Sequence, residues 1–286
     1  MISPDFLPAL KRFNLIIRKR VTSSFIGSRR SNSGGRGVSL RDHRAYSEGD
    51  DFRLIDWKVY ARTDHMYIKR FEEERNLTVH VMMDRSESMN YGDSISKFDY
   101  AAMIGVGFSY LALRENEKFR FSTFADDLES FPMRRGMGHL ARMIDHLNKT
   151  KTKGGSNFLE CMRKYKKTLG SRAMIVIISD FLFDYPDIEE GLQLFANHDL
   201  KVVQVLDTAE KTMPLEGDLK LKDLETKQEI ETFITPSNRQ FYLSKLEAHN
   251  AKINKLCNKL DADYNLVITD KPVFESFFDI LQSLKR

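Results

Sequence analysis

The sequence predicts an α/β fold, a mostly parallel β-sheet with helices on both faces. Three observations lead there. From residue 77 onward, short apolar runs alternate with helix-length segments, the signature of strand–helix–strand units. One run, Ala173-Met-Ile-Val-Ile-Ile178, is apolar without a break, which suits a strand covered on both faces. The 286 residues are 41% apolar and 30% charged, a globular balance at a length that needs no disulfide or metal staple.

The elements follow in order. Residues 1–44 form a basic arm with ten Lys/Arg and two acids, net +8, which leaves −4 for the rest of a chain whose total is +4. Within the arm, Ser31-Asn-Ser-Gly-Gly-Arg-Gly37 has little to bury and reads as flexible. Leu77–Met83 is rich in β-branched residues and predicts the first core strand. Lys97–Arg114 is apolar through several turns and predicts a buried helix, followed by a strand over Lys118–Phe124. Gly138–Leu147 and Asn157–Leu169 read as helices, then come the Ala173–Ile178 strand, a helix over Ile188–Ala196 and a strand over Leu200–Leu206. An insertion spanning about 208–240 carries period-two alternation on both sides of Glu225-Thr-Lys-Gln228, so it predicts an exposed hairpin. Arg239–Leu260 is a long charged helix with one apolar stripe, and a final strand (Tyr264–Thr269) and helix (Pro272–Leu284) close the chain. The expected organisation is therefore an arm and signature segment over 1–76, packed on a core over 77–286.

Candidate chemistry gathers at strand ends. Asp84-Arg-Ser86-Glu-Ser88 follows the first core strand, Gly154-Gly-Ser156-Asn157 precedes a helix, and Ser179-Asp180 ends the Ala173–Ile178 strand. Ligands of parallel sheets sit at the carboxyl ends of strands. Two carboxylates and three hydroxyls are hard oxygen donors, suited to Mg²⁺ or, as a substitute, Mn²⁺. Each residue alone has an ordinary use as a cap or turn former. Their joint order along the chain makes Asp84, Ser86, Ser88, Ser156 and Asp180 the expected metal ligands.

That constellation resembles the metal-ion-dependent adhesion site of the von Willebrand factor A fold, a Rossmann-like architecture, with Ser156 where the pattern more often has Thr. The resemblance implies a bound divalent cation with one coordination position open to a partner's acidic residue. Upstream, Gly49-Asp50-Asp51-Phe-Arg53-Leu-Ile55-Asp56-Trp57, continuing through Arg62-Thr63 and Tyr67–Arg75, is similar to the signature of the domain of unknown function 58 family. This second resemblance implies partnership with a MoxR-type AAA+ ATPase or its client in a chaperone-like system. The signature segment itself is dense in charge around the chain's single tryptophan. It reads as a clamp made of directional Arg–carboxylate pairs with Trp57 as anchor, the alternatives being a partner surface or a catalytic carboxylate cluster.

Several function classes drop out. The longest apolar-leaning run, Tyr100–Leu113, falls short of the ~20 residues of a spanning helix, and the N-terminus lacks a signal-peptide pattern. A cytoplasmic protein is expected, with peripheral membrane contact through the basic arm left open. Cys161 and Cys257 are far apart, without metal-ligand spacing. Gly136-x-Gly138-x-x-Ala141 lacks a preceding strand and reads as a loop opening a helix. His80 reads as a core residue. Residues 26–45 lack aromatics at stacking spacing, which argues against nucleic-acid recognition. A non-enzymatic, metal-dependent protein-binding module is the leading expectation. The alternative is Mg²⁺-dependent phosphoryl transfer or nuclease activity using Asp84 and Asp180.

Overall fold

A computed structural model describes residues 2, 5–12, 39–72, 78–92, 94–170, 172–215, 217–222 and 229–283. The Ser31–Gly37 stretch, and with it Arg29, Arg30 and Arg36 of the arm, lies outside the described residues. The chain divides into two compact units, Met1–Thr22 with Leu77–Arg286, and Ser23–Asn76.

Helix α1 covers residues 6–12 and belongs to the larger unit. Its Phe6 stacks on Phe274 with ring centroids 5.3 Å apart, and Ile2 N donates to Asn148 Oδ1 at 2.8 Å. The smaller unit is built on an antiparallel pair, β1 (Ser39–Ala45) and β2 (Tyr67–Glu72), bridged by α2 (Trp57–Thr63). Asp51 and Asp56 of the signature are helix caps: Asp51 accepts from Arg53 N, and Asp56 from Lys58 N and Val59 N. Charge does tie the segment together, through Arg44 Nη2 to both Asp50 oxygens (2.8 and 3.0 Å) and His43 Nε2 to Asp56 Oδ2 (2.9 Å). The expected tryptophan anchor is corrected, because Trp57 is 57% exposed and Ile55 is the buried residue instead.

The core sheet holds β3 (Thr78–Asp84), β4 (Lys118–Phe124), β5 (Leu128–Ser130), β6 (Met174–Ser179), β7 (Asp199–Leu206) and β10 (Asp263–Ile268) in the order β10-β7-β6-β3-β4-β5. Every neighbour pair is parallel except the short edge strand β5. An inserted antiparallel hairpin, β8 (Gly217–Lys222) and β9 (Glu229–Ile234), stands apart as the alternation predicts. One face is covered by α3 (Lys97–Arg114), whose Gly105 backbone approaches Val81 and Phe121 so closely that a Cβ there would lie 2.8 Å from the Phe121 ring. On that side α4 (Met137–Lys149) and α9 (Val273–Ser283) pack against α3.

The opposite face carries α5 (Phe158–Lys166), α6 (Tyr185–Gln193) and α8 (Pro236–Lys259), reached through the short α7 (Thr208–Thr212). Phe158, Tyr165, Ile188 and Ile253 from these helices join Met82, Ile175 and Val202 of the sheet in one buried cluster. His80 lies on this side as expected, 2.7 Å from the Tyr165 hydroxyl, and burial pushes its pKa down to about 4. Both cysteines are free and buried. Gly136 opens α4 with φ at +102°, so the glycine pair is a loop-to-helix junction.

Candidate functional site

The sheet order places the site. β4 lies on one side of β3 and β6 on the other, so the winding direction reverses between β3 and β6. In open α/β sheets the crevice at such a switch point is where ligands bind. Asp84 is the last residue of β3, and Asp180 directly follows β6.

Asp84 is fully buried. Its Oδ1 accepts from Ser86 N at 2.8 Å and its Oδ2 from the Ser179 hydroxyl at 2.7 Å. Burial first, and the charge of Asp180 second, push its pKa up to about 7 against the pull of those hydrogen bonds. The loop beyond turns through a short 3₁₀ segment, Glu87–Asn90, which Ser86 precedes without capping it. The Ser86 hydroxyl instead lies 3.0 Å from that of Ser88.

The Gly154–Asn157 loop runs alongside. Lys153 N donates to Arg85 O and Glu87 N to Gly154 O, both at 3.1 Å, so two backbone bonds join it to the Asp84 turn. Gly154 has φ at +69°, and a Cβ there would fall 1.9 Å from Asp126 Oδ2, so the position requires glycine. Ser156 does not act as a cap. Its hydroxyl oxygen is buried and has no hydrogen-bond partner, an unusual state for a polar atom.

Asp180 is also fully buried, but its oxygens are engaged. Oδ1 accepts from Leu182 N at 3.2 Å, and Oδ2 accepts from Lys97 Nζ at 2.8 Å. Lys97 reaches Glu210 Oε1 as well, at 2.6 Å, and is 0% exposed. Burial alone would lower the pKa of Lys97, and the two carboxylates more than offset it, so the net shift is upward. The backbone beyond Asp180 is strained, with Phe181 at φ +53°. It is pinned there by Gln204 Nε2 to Asp180 O (2.8 Å) and by His249 Nε2 to Phe181 O (2.7 Å).

The structure thus brings Asp84, Ser86 and Ser88 into one turn, joins the Ser156 loop to it, and sets Asp180 on the adjacent strand end. Lys97 and Glu210 were not singled out from sequence. One signal was present: a lysine at the first position of a buried helix opposes the helix dipole, so a carboxylate must hold it. Ser179, which the sequence places at the strand end without a role, holds Asp84 through its hydroxyl.

Among the described residues, no three His, Cys, Asp or Glu side chains are grouped to hold a metal by themselves. A cation here would depend on hydroxyls. The donor set fits a hard divalent ion on those terms, since Asp84 keeps lone pairs, the Ser86 and Ser88 hydroxyls are adjacent, and the Ser156 oxygen lacks a partner.

Fold and crevice together define an α/β domain with a carboxylate-and-hydroxyl site at the switch point of its sheet. Residues 42–252 match the protein family of unknown function DUF58, and the chain belongs to that family. An uncharacterized protein of Mycobacterium tuberculosis, Rv1480, is 24% identical over 99% of this chain and 91% of its own length. Among solved structures, BatB from Bacteroides thetaiotaomicron is similar at 17% identity and a TM-score of 0.46, covering 73% of this chain and 98% of that one. The vWF domain of the pilus tip protein Mfa5 from Porphyromonas gingivalis is similar at 13% identity and a TM-score of 0.38, covering 73% and 94%.

Proposed function

We propose that this protein is a non-enzymatic binding module that uses a divalent cation, Mg²⁺ or Mn²⁺, to engage a partner's carboxylate. In this reading Asp84, Ser86, Ser88 and Ser156 hold the ion, and Asp180, already paired with Lys97, acts as a nearby anion. The observation that carries the reading is the buried, unpartnered Ser156 hydroxyl on a loop bonded to the Asp84 turn. When bound, the ion would supply a Lewis-acidic position for an anionic side chain. This chain's residues then orient the donors: Ser179 fixes the Asp84 carboxylate, and the Gly154 turn sets the Ser156 loop.

The family resemblance makes a MoxR-type AAA+ ATPase, or its client, the partner to try first. Phosphoryl transfer is less well supported, because such chemistry uses a cation or base free to act on substrate. Arg85 is tied to Asp127 at 2.6 Å, and Lys97 is enclosed between two carboxylates. No helix of the described residues is long and apolar enough to cross a membrane.

The test is binding of a purified MoxR-type ATPase from the same organism to wild type and Asp84→Asn, in Mg²⁺ and in EDTA. Capture in Mg²⁺ that is lost in EDTA and in the variant is expected. Equal capture in EDTA overturns the reading.

A further inference from the structure

Lys97 is a fully enclosed cation beside the crevice, and no role as a donor to a ligand explains it. Its side chain has no exposure, and its ammonium divides its hydrogen bonds between Asp180 Oδ2 (2.8 Å) and Glu210 Oε1 (2.6 Å). Both acids come from elements distant in sequence, the end of β6 and the start of α7. Glu210 is held in turn, its Oε2 accepting from Asp207 N at 2.8 Å in the capping box of α7. Burying a lysine is expensive unless it is paired. This one is doubly paired, and it sits on the carboxylate that would otherwise face Asp84 across two adjacent strands.

We propose that Lys97 is a built-in counter-cation that sets how strongly the crevice holds a divalent ion, an inference that rests on the cation reading above. The charge count gives the reason. Asp84, Asp180 and Glu210 are three anions, and Lys97 cancels one of them. A divalent ion added to the remaining two negative charges leaves the group neutral. Without Lys97 the same ion would meet three negative charges and be held more tightly by the protein alone. A crevice neutral after loading keeps more of the ion's attraction for an outside carboxylate. Lys97 therefore shifts binding energy from the protein's own hold on the ion towards the partner.

The test titrates Mn²⁺ alone, counting free ion by electron paramagnetic resonance, into wild type, Lys97→Met, Glu210→Gln and the double variant. Lys97→Met should bind Mn²⁺ roughly tenfold tighter or more. Glu210→Gln keeps the capping acceptor but removes an anion, so it should bind several-fold more weakly, about threefold at the least. The double variant restores the net charge and should return to within about threefold of wild type. If Lys97→Met does not fold, Glu210→Gln carries the test, because it leaves the Lys97–Asp180 pair intact.

Wild-type binding that neither single variant alters overturns the role of Lys97 and leaves the cation reading standing. Binding in Lys97→Met with none in wild type upholds the counter-cation and overturns cation dependence of the native chain. No binding in any of the four overturns both.

Discussion

At the scale of single residues, buried polar groups carry the most information, because each must be matched or it costs stability. His80 shows the principle in a purely structural setting. Burial holds its pKa near 4, against about 6.5 in the unfolded chain. Only the unfolded chain takes up a proton between those values. The stability His80 contributes is therefore complete above about pH 6.5 and drains away as pH falls towards 4, by up to about 3 kcal/mol. Asp84, with its raised pKa, slopes the other way in the same window, but it is common to wild type and His80→Gln and cancels in their difference. Urea unfolding at pH 7.5, 6, 5 and 4.5 should show that difference changing by 1–3 kcal/mol, as about 1.4 kcal/mol per pKa unit implies. A difference flat with pH contradicts the assignment. The strand-end and loop positions of Asp84, Ser86, Ser88, Ser156 and Asp180 are legible in the sequence. The role of Lys97 is not, since its partners lie 83 and 113 positions away and only the folded sheet brings them near.

At the scale of elements, the core was legible wherever burial imposes a period. β6 is buried at every position, and its unbroken apolar run said as much. β5 escaped notice because it is three residues long and only partly covered. β1 and β2 escaped because their charged sequences show no alternation, and their pairing contains a register shift between Leu40 and Asp42. Helix α3 illustrates what close packing demands. A Cβ on Gly107 would lie 2.8 Å from the Phe277 ring of α9, which itself sits edge-on to Phe108 at 5.2 Å. Gly107→Ala gains about 1 kcal/mol of helix propensity and loses about 1–3 kcal/mol to overpacking. A net destabilisation in chemical denaturation is expected, and a variant more stable than wild type would show that α9 yields without cost.

At the scale of the whole molecule, the hairpin β8–β9 is an accessory to the larger unit. Arg239 Nε of α8 donates to Thr212 O at the end of α7, at 3.2 Å, so the chain returns close to where it left. Among the described hairpin side chains Ile234 is buried, while Phe233 is 57% exposed. Replacing residues 217–232 with a short Gly-Ser link should cost no more than about 1 kcal/mol, since loop length enters closure entropy only slowly. Loss of cooperative unfolding in the shortened chain would show the hairpin to be part of the core. The α/β sheet and its hairpin were thus legible from periodicity. The division that groups Met1–Thr22 with the core was not, because α1 is short and its basic flank masks the apolar positions Phe6 and Leu10.

The central claim is that the crevice between β3 and β6 binds a divalent cation through Asp84 and its neighbouring hydroxyls. Thermal unfolding of wild type and Asp84→Asn, each in EDTA and across 0.1–10 mM Mg²⁺, tests it most directly, because an ion that binds only the folded state raises Tm with concentration. Wild type should gain about 2–6 °C over that range, and Asp84→Asn should gain nothing while matching or exceeding the wild-type Tm in EDTA, its buried charge having been removed. A wild-type Tm that does not respond to Mg²⁺, or a variant that responds equally, contradicts the claim.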